Sequence, residues 1–146
     1  MPVDIIRFVT ASEPVELSPY SPLWPAVFEV EAERLAALFA GEDIAIEHIG
    51  STSVPGLGAK PIIDIMLGVP ALAVIEARIE ALAADGYRYV KEFEVAMPER
   101  RYFDKQEGHP GRFHLHGVVA GSPFWIRHLA FRDALRADPA LAERYW

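Results

Sequence analysis

One segment constrains this chain more than any other: Ile62-Ile63-Asp64-Ile65-Met66-Leu67-Gly68-Val69, a nearly continuous apolar run whose single charged member is Asp64. It is far shorter than the ~18 uninterrupted apolar residues of a membrane span, and it lacks the alternation of a half-exposed strand. It reads as a central strand buried on both faces, so other elements must flank and cover it. Directly before it, residues 50–61 hold three glycines and two prolines. That stretch reads as a loop with one helical turn after Ser51.

The flanking elements follow from local signals. Residues 4–9 form a short β-rich run, suited to an edge strand. Ser21 caps a helix with Pro22 at its first position, where a missing N–H is harmless. Trp24, Phe28, Leu35, Leu38 and Phe39 then recur at near-helical spacing up to Gly41. Residues 44–49 read as a strand with Ile44, Ile46 and His48 on one face. Pro70 opens a helix carrying Leu72, Ile75, Ile79 and Leu82, which Gly86 ends. Residues 87–94, 101–105 and 112–120 are strand candidates at hairpin-like separations. Ser122 and Pro123 repeat the cap-plus-proline signal ahead of a helix through Arg136, and a shorter helix begins near Pro139. The chain stops at Trp146 while still reading as helical, which leaves a truncated C-terminal helix open. The expected fold is α/β (α+β): a mixed sheet with helices packed on it.

Composition narrows the function classes. A hydrophobic content of 51% in 146 residues allows one sizeable core. There is no apolar run of membrane length, and the N-terminus lacks a basic-then-apolar leader. The absence of cysteine rules out disulfides and thiolate metal sites and suits a reducing cytoplasm. A formal net charge of -7 argues against a duplex nucleic-acid surface. It leaves room for a small anionic ligand in a locally positive pocket. Arg100, Arg101, Lys105 and Arg112 form the densest basic stretch, which alternatively is a solvated hairpin.

The chemistry concentrates around the loop and the strand. Gly50 allows close backbone approach, and Ser51, Thr52 and Ser53 add hydroxyls where a helical turn would aim N–H groups at a phosphate or carboxylate. A carboxylate in the apolar strand is costly to bury without a cation or donors. Asp64 therefore sits at the strand's open end or binds a hard ion such as Mg²⁺; the alternative is a partner in loop backbone, Lys60 or an arginine. His114 and His116 share one face of a strand and suit a metal or a phosphate, and His48 beside the loop can join them. Lys60 and Arg101 are the basic candidates for a phosphate. Arg132 and His128 lie one turn apart on the late helix, and Trp24 and Trp125 are candidates for base stacking or for the core.

The stretch from Glu47 through Gly50-Ser51-Thr52-Ser53-Val54-Pro55-Gly56-Leu57-Gly58-Ala59-Lys60-Pro61 to Asp64 and Ile65 resembles the signature of the GrpB family. So do Tyr20-Ser21-Pro22-Leu23-Trp24-Pro25, Phe113-His114-Leu115-His116 and Phe131-Arg132-Asp133-Ala134-Leu135-Arg136. That family is also found fused behind dephospho-coenzyme A kinase, and it belongs to the nucleotidyltransferase-like superfamily. The resemblance implies one nucleotidyltransferase-like domain over residues 1–146. It also implies a Gly-Ser pair followed by a strand with carboxylates at i and i+2. Gly50, Ser51 and Asp64 match, but the second carboxylate position holds Met66.

The expected site thus has Asp64 and His116 as catalytic candidates, Asp64 also as a magnesium ligand. Gly50, Ser51, Thr52, Ser53, Lys60, Arg101 and His114 are expected to hold a nucleotide or phosphorylated small molecule. Two activities compete: Mg²⁺-dependent nucleotidyl transfer, and a binding module that kept the pocket but lost transfer chemistry, which Met66 favours. A His-Asp metal site with hydrolytic activity is a third. The apolar content leaves a dimer open.

Overall fold

The computed structural model describes residues 17–106 and 112–145; the strand expected over residues 4–9 lies outside them. Five strands form one mixed sheet: β1 (Ala45–Ile49), β2 (Ile62–Val69), β3 (Arg88–Tyr89), β4 (Arg101–Lys105) and β5 (Arg112–Val119), in the order β1-β2-β5-β4-β3. β2 and β5 run parallel, and every other pairing is antiparallel. Among the described residues, five helices pack on the sheet: α1 (Leu23–Leu38), α2 (Leu72–Glu76), α3 (Ile79–Ala84), α4 (Pro123–Ala137) and α5 (Pro139–Tyr145). The apolar run is β2, paired on both sides as its composition requires.

Strand alternation divides the sheet into two faces. Ile63, Ile65, Leu67 and Val69 of β2, Phe113 and Leu115 of β5 and Phe103 of β4 point to one side. There they form the main core with Phe28 and Leu35 of α1, Ile75 of α2 and Leu82 of α3. At ~25 cal/mol per Å² of apolar surface, burying each such side chain is worth about 2 kcal/mol. On the other side, Met66 and Val118 pack under Phe124 of α4 with Ile49. Trp125 lies so close over Gly68 that a Cβ there would meet its ring at 2.6 Å. This second face is apolar only at that end. Toward the start of β2 and β5 it presents Asp64, His114 and His116.

Local signals set several boundaries. The Ser21 hydroxyl accepts from the Leu23 N–H at 3.2 Å, and Ser122 caps α4 with Pro123 at its first position. Two expectations change. The helix after Pro70 is two pieces, α2 and α3, and the break falls before Arg78. The Arg78 guanidinium leaves the helix to donate to the Leu38 carbonyl at the end of α1 (3.0 Å) and to reach Glu42. The strand expected over residues 87–94 is only Arg88–Tyr89; the chain then lifts into a turn, Lys91–Glu94. Phe93 in that turn rests on Tyr102, their rings 5.1 Å apart, and Arg101 holds Glu94 at 3.5 Å.

The basic stretch is not a solvated hairpin. Lys105 is fully buried between Glu31 and Asp85, and Asp104 is buried against Arg88.

Candidate functional site

Gly50 ends β1 with φ +77 and ψ -178, a conformation essentially reserved for glycine. A Cβ at this position would sit 2.6 Å from Asp64 Oδ2. The glycine is therefore demanded twice, by the backbone and by the approach of the carboxylate. After it comes the single turn Ser51–Ser53. The Ser53 hydroxyl donates back to the Gly50 carbonyl. The Thr52 hydroxyl donates to the Ile62 carbonyl at 3.2 Å and lies 3.0 Å from His48 Nε2. With its own hydrogen given to Ile62, Thr52 accepts from His48, which fixes the His48 proton on Nε2. Two of the three hydroxyls thus hold the loop, while Ser51 lines the cleft.

His48 does not join the other histidines. It is on the core face, stacked on Phe28 at 4.7 Å, and burial pushes its pKa down to about 4. It is a neutral structural group at pH 7.

On the opposite face, His116 Nε2 lies 3.0 Å from Asp64 Oδ1, and His116 Nδ1 lies 3.3 Å from Arg100 Nη1. His114 Nδ1 is 3.6 Å from the same carboxylate oxygen, an electrostatic contact and not a hydrogen bond. Burial alone would push the Asp64 carboxyl up. The facing imidazoles of His114 and His116 outweigh it and hold the carboxyl well below the ordinary range. Burial lowers the His116 pKa against the pull of Asp64. Both His116 nitrogens are already engaged.

These groups line a cleft of about 740 Å³ that runs between the loop, the sheet and α4. Of the residues expected in the site, Gly50, Ser51, Thr52, Lys60, Asp64, His114 and His116 border it. Ser53 and Arg101 do not. Arg101 points to the other side of β4, where Glu76 lies at 3.0 Å and the Pro98 carbonyl at 2.8 Å. A one-residue step reverses the side of a strand, and it is Arg100 that reaches the cleft. Arg132 and His128 do face it, as their helical spacing implies. Arg132 is committed to Glu47 (2.7 Å) and the His48 carbonyl (3.1 Å). His128 Nδ1–H donates to the Phe124 carbonyl at 2.8 Å, which leaves the Nε2 lone pair free of that bond. Trp24 belongs to the core and Trp125 covers Gly68.

Sequence reasoning missed Arg100 as a site residue, along with Tyr102, Glu92 and Phe93. Tyr102 was within reach of the period-two rule, since it pairs with His116 across β4 and β5. Arg100 precedes its strand, and no local pattern assigns it a face.

Magnesium favours several oxygen donors. Here one oxygen of Asp64 accepts from His116 and the other packs on Gly50. Met66, in the expected second-carboxylate position, is fully buried in an apolar cluster. Among the described residues no three His, Asp or Glu side chains are grouped to hold a metal ion. This donor set does not fit a two-carboxylate metal site.

A mixed five-stranded sheet with a carboxylate-histidine cleft beside a Gly-Ser turn defines the class of protein. The profile of the family described as "GrpB protein" matches residues 14–146, and the chain belongs to the GrpB family. Similar chains include the UPF0157 protein YqkA of Bacillus subtilis, 43% identical over 131 residues, covering 90% of this chain and 37% of that protein. A dephospho-CoA kinase of Mycolicibacterium paratuberculosis is 32% identical over 151 residues, covering 88% of this chain and 37% of its own. The chain thus spans little more than a third of the length of these two relatives. The crystal structure of conserved protein GrpB from Enterococcus faecalis superposes with a TM-score of 0.80 at 37% identity, over 89% of this chain and 78% of that one. Among the described residues, no helix is long and apolar enough to cross a membrane.

Proposed function

We propose that the cleft binds a nucleotide or another phosphorylated small molecule. One observation carries this reading. Lys60 and Arg100 both border the cleft, and neither forms an ion pair with a described residue. With no carboxylate in ion-pair range, both cations can be joined by an anion in the cleft, even in a protein of net charge -7. Ser51 lies on the same wall, and the apolar side chain of Phe131 stands at the rim. Burial already lowers the Lys60 pKa against the opposing pull of Asp64, so an incoming phosphate would relieve the desolvated charge.

Nucleotidyl transfer with magnesium as cofactor is the second reading. The observation favouring it is Glu92, a second carboxylate on the cleft wall. Turnover of ATP by the wild type, abolished by Asp64→Ala with ligand binding intact, would support it.

Thermal denaturation with added ADP or ATP tests the binding reading. The wild type is expected to melt several degrees higher with millimolar nucleotide. Lys60→Met is expected to keep its own melting temperature and lose most of the ligand-induced rise. No shift in the wild type with either nucleotide would remove the proposal.

A further inference from the structure

We infer that the cleft takes its phosphorylated ligand without a divalent cation, using Arg100, aimed by His116 and Asp64, where a metal would otherwise neutralise the phosphate. The inference rests on the phosphate-binding reading above and goes beyond it by naming the charge that does the work.

The direction of the hydrogen bonds carries the argument. An ionised carboxylate only accepts, so the 3.0 Å contact between Asp64 Oδ1 and His116 Nε2 places the proton on Nε2. The neutral ring then has its lone pair on Nδ1, which accepts from Arg100 Nη1 at 3.3 Å. The chain therefore runs one way, from Arg100 through His116 to Asp64. It leaves His116 no nitrogen for a metal and ties one oxygen of Asp64, while the other lies against Gly50.

Arg100 is left with donors to spare. Its guanidinium carbon sits 4.8 Å over the Tyr102 ring, a cation–π contact that supports the group. Its Nε–H is buried and has no partner. A planar fork held at one nitrogen by a histidine and supported by an aromatic face suits the two-point recognition of a phosphate. Lys60, on the same cleft, adds a second point charge. Asp64 and His116 are accordingly positioning residues that act through Arg100.

The test is calorimetric titration with inorganic pyrophosphate and with ADP, in EDTA and again in magnesium. Binding in EDTA is expected, no weaker than in magnesium. Arg100→Ala is expected to lose about tenfold or more in affinity, the loss associated with hydrogen bonds to charged groups. Arg100→Lys, which keeps the charge and the fold but not the fork, should recover only part of it. In the ligand-free wild type, ¹⁵N NMR of the His116 ring should show the Nε2–H tautomer. His116→Phe should weaken pyrophosphate binding and lower the melting temperature, because the buried Asp64 carboxylate loses its donor. Binding seen only with magnesium would overturn the inference and leave the phosphate reading standing, whereas no binding in either buffer would overturn both. An Nδ1–H tautomer, or full affinity in both Arg100 variants, would also overturn it.

Discussion

The two faces of the sheet each bury a cluster of charges, and the clusters differ in whether they close. On the core face, Lys105 has no exposed side-chain surface and is surrounded by Glu31 Oε2 at 2.6 Å, Asp85 Oδ2 at 2.9 Å and the Asp85 carbonyl at 3.2 Å. The Tyr87 hydroxyl donates to Glu31 at 2.6 Å, and Arg34 donates to the other oxygen of Asp85 at 2.6 Å. Donors and acceptors match with none left over. On the cleft face, Asp64 has His116 and His114 against it, but among the described residues the Arg100 Nε–H finds no partner and Lys60 no ion pair. A closed network fixes an architecture, and an open one leaves donors for a ligand. Burial alone would rank the Lys105 cluster first; the unmatched donors single out the cleft.

Breaking the closed network should have the largest effect. Lys105→Met leaves Glu31 and Asp85 without their shared cation and is expected to cost about 3–5 kcal/mol in urea denaturation. A loss below about 1 kcal/mol would show that the network is not a structural tie. Next is the acid limb of stability. The folded-state pKa of His48 is about 4 against 6.5 for the free group, so between those values the unfolded chain binds a proton that the folded chain refuses. Its contribution is full above pH 6.5 and falls by up to about 3 kcal/mol toward pH 4. His48→Gln, which can still donate to Thr52, should flatten that limb in urea midpoints taken at pH 7 and pH 4.5. An unchanged slope would assign the acid sensitivity elsewhere.

Gly50→Ala tests the junction of the two faces. The backbone conformation and the contact with Asp64 Oδ2 together should cost about 2 kcal/mol, with ADP affinity falling as the carboxylate moves. Smallest on stability is the cleft counterpart of Lys105. Lys60→Met should change the unfolding free energy from urea denaturation by no more than about 0.5 kcal/mol. A large loss there would mean that the cleft is closed after all.

Much of the frame was legible in the chain. β2 announced itself because a strand buried on both faces has to be apolar throughout, and the Ser122-Pro123 cap marked α4 because its signal is local. Period two correctly paired His114 with His116 on one face. What it could not supply was the neighbour. Asp64 and His116 are 52 residues apart and meet only because β2 and β5 run parallel side by side, and strand order is a property of the whole sheet. The same limit hid Lys105, whose partner Glu31 lies on α1. The confusion of Arg101 with Arg100 had a different origin: the bounds of the strand over residues 101–105 were read correctly, but nothing local says which of its two sides faces the cleft. Alternation did place His48 with Ile46, and that same rule carried it away from Asp64.

The most direct measurement is a crystal structure of the protein soaked with ADP. The account requires phosphate density in the cleft, with oxygens in hydrogen-bonding reach of Arg100 and Lys60 beside Ser51 and the Arg100-His116-Asp64 chain intact. ADP bound elsewhere on the molecule, or an empty cleft at a concentration that saturates binding in solution, would contradict it.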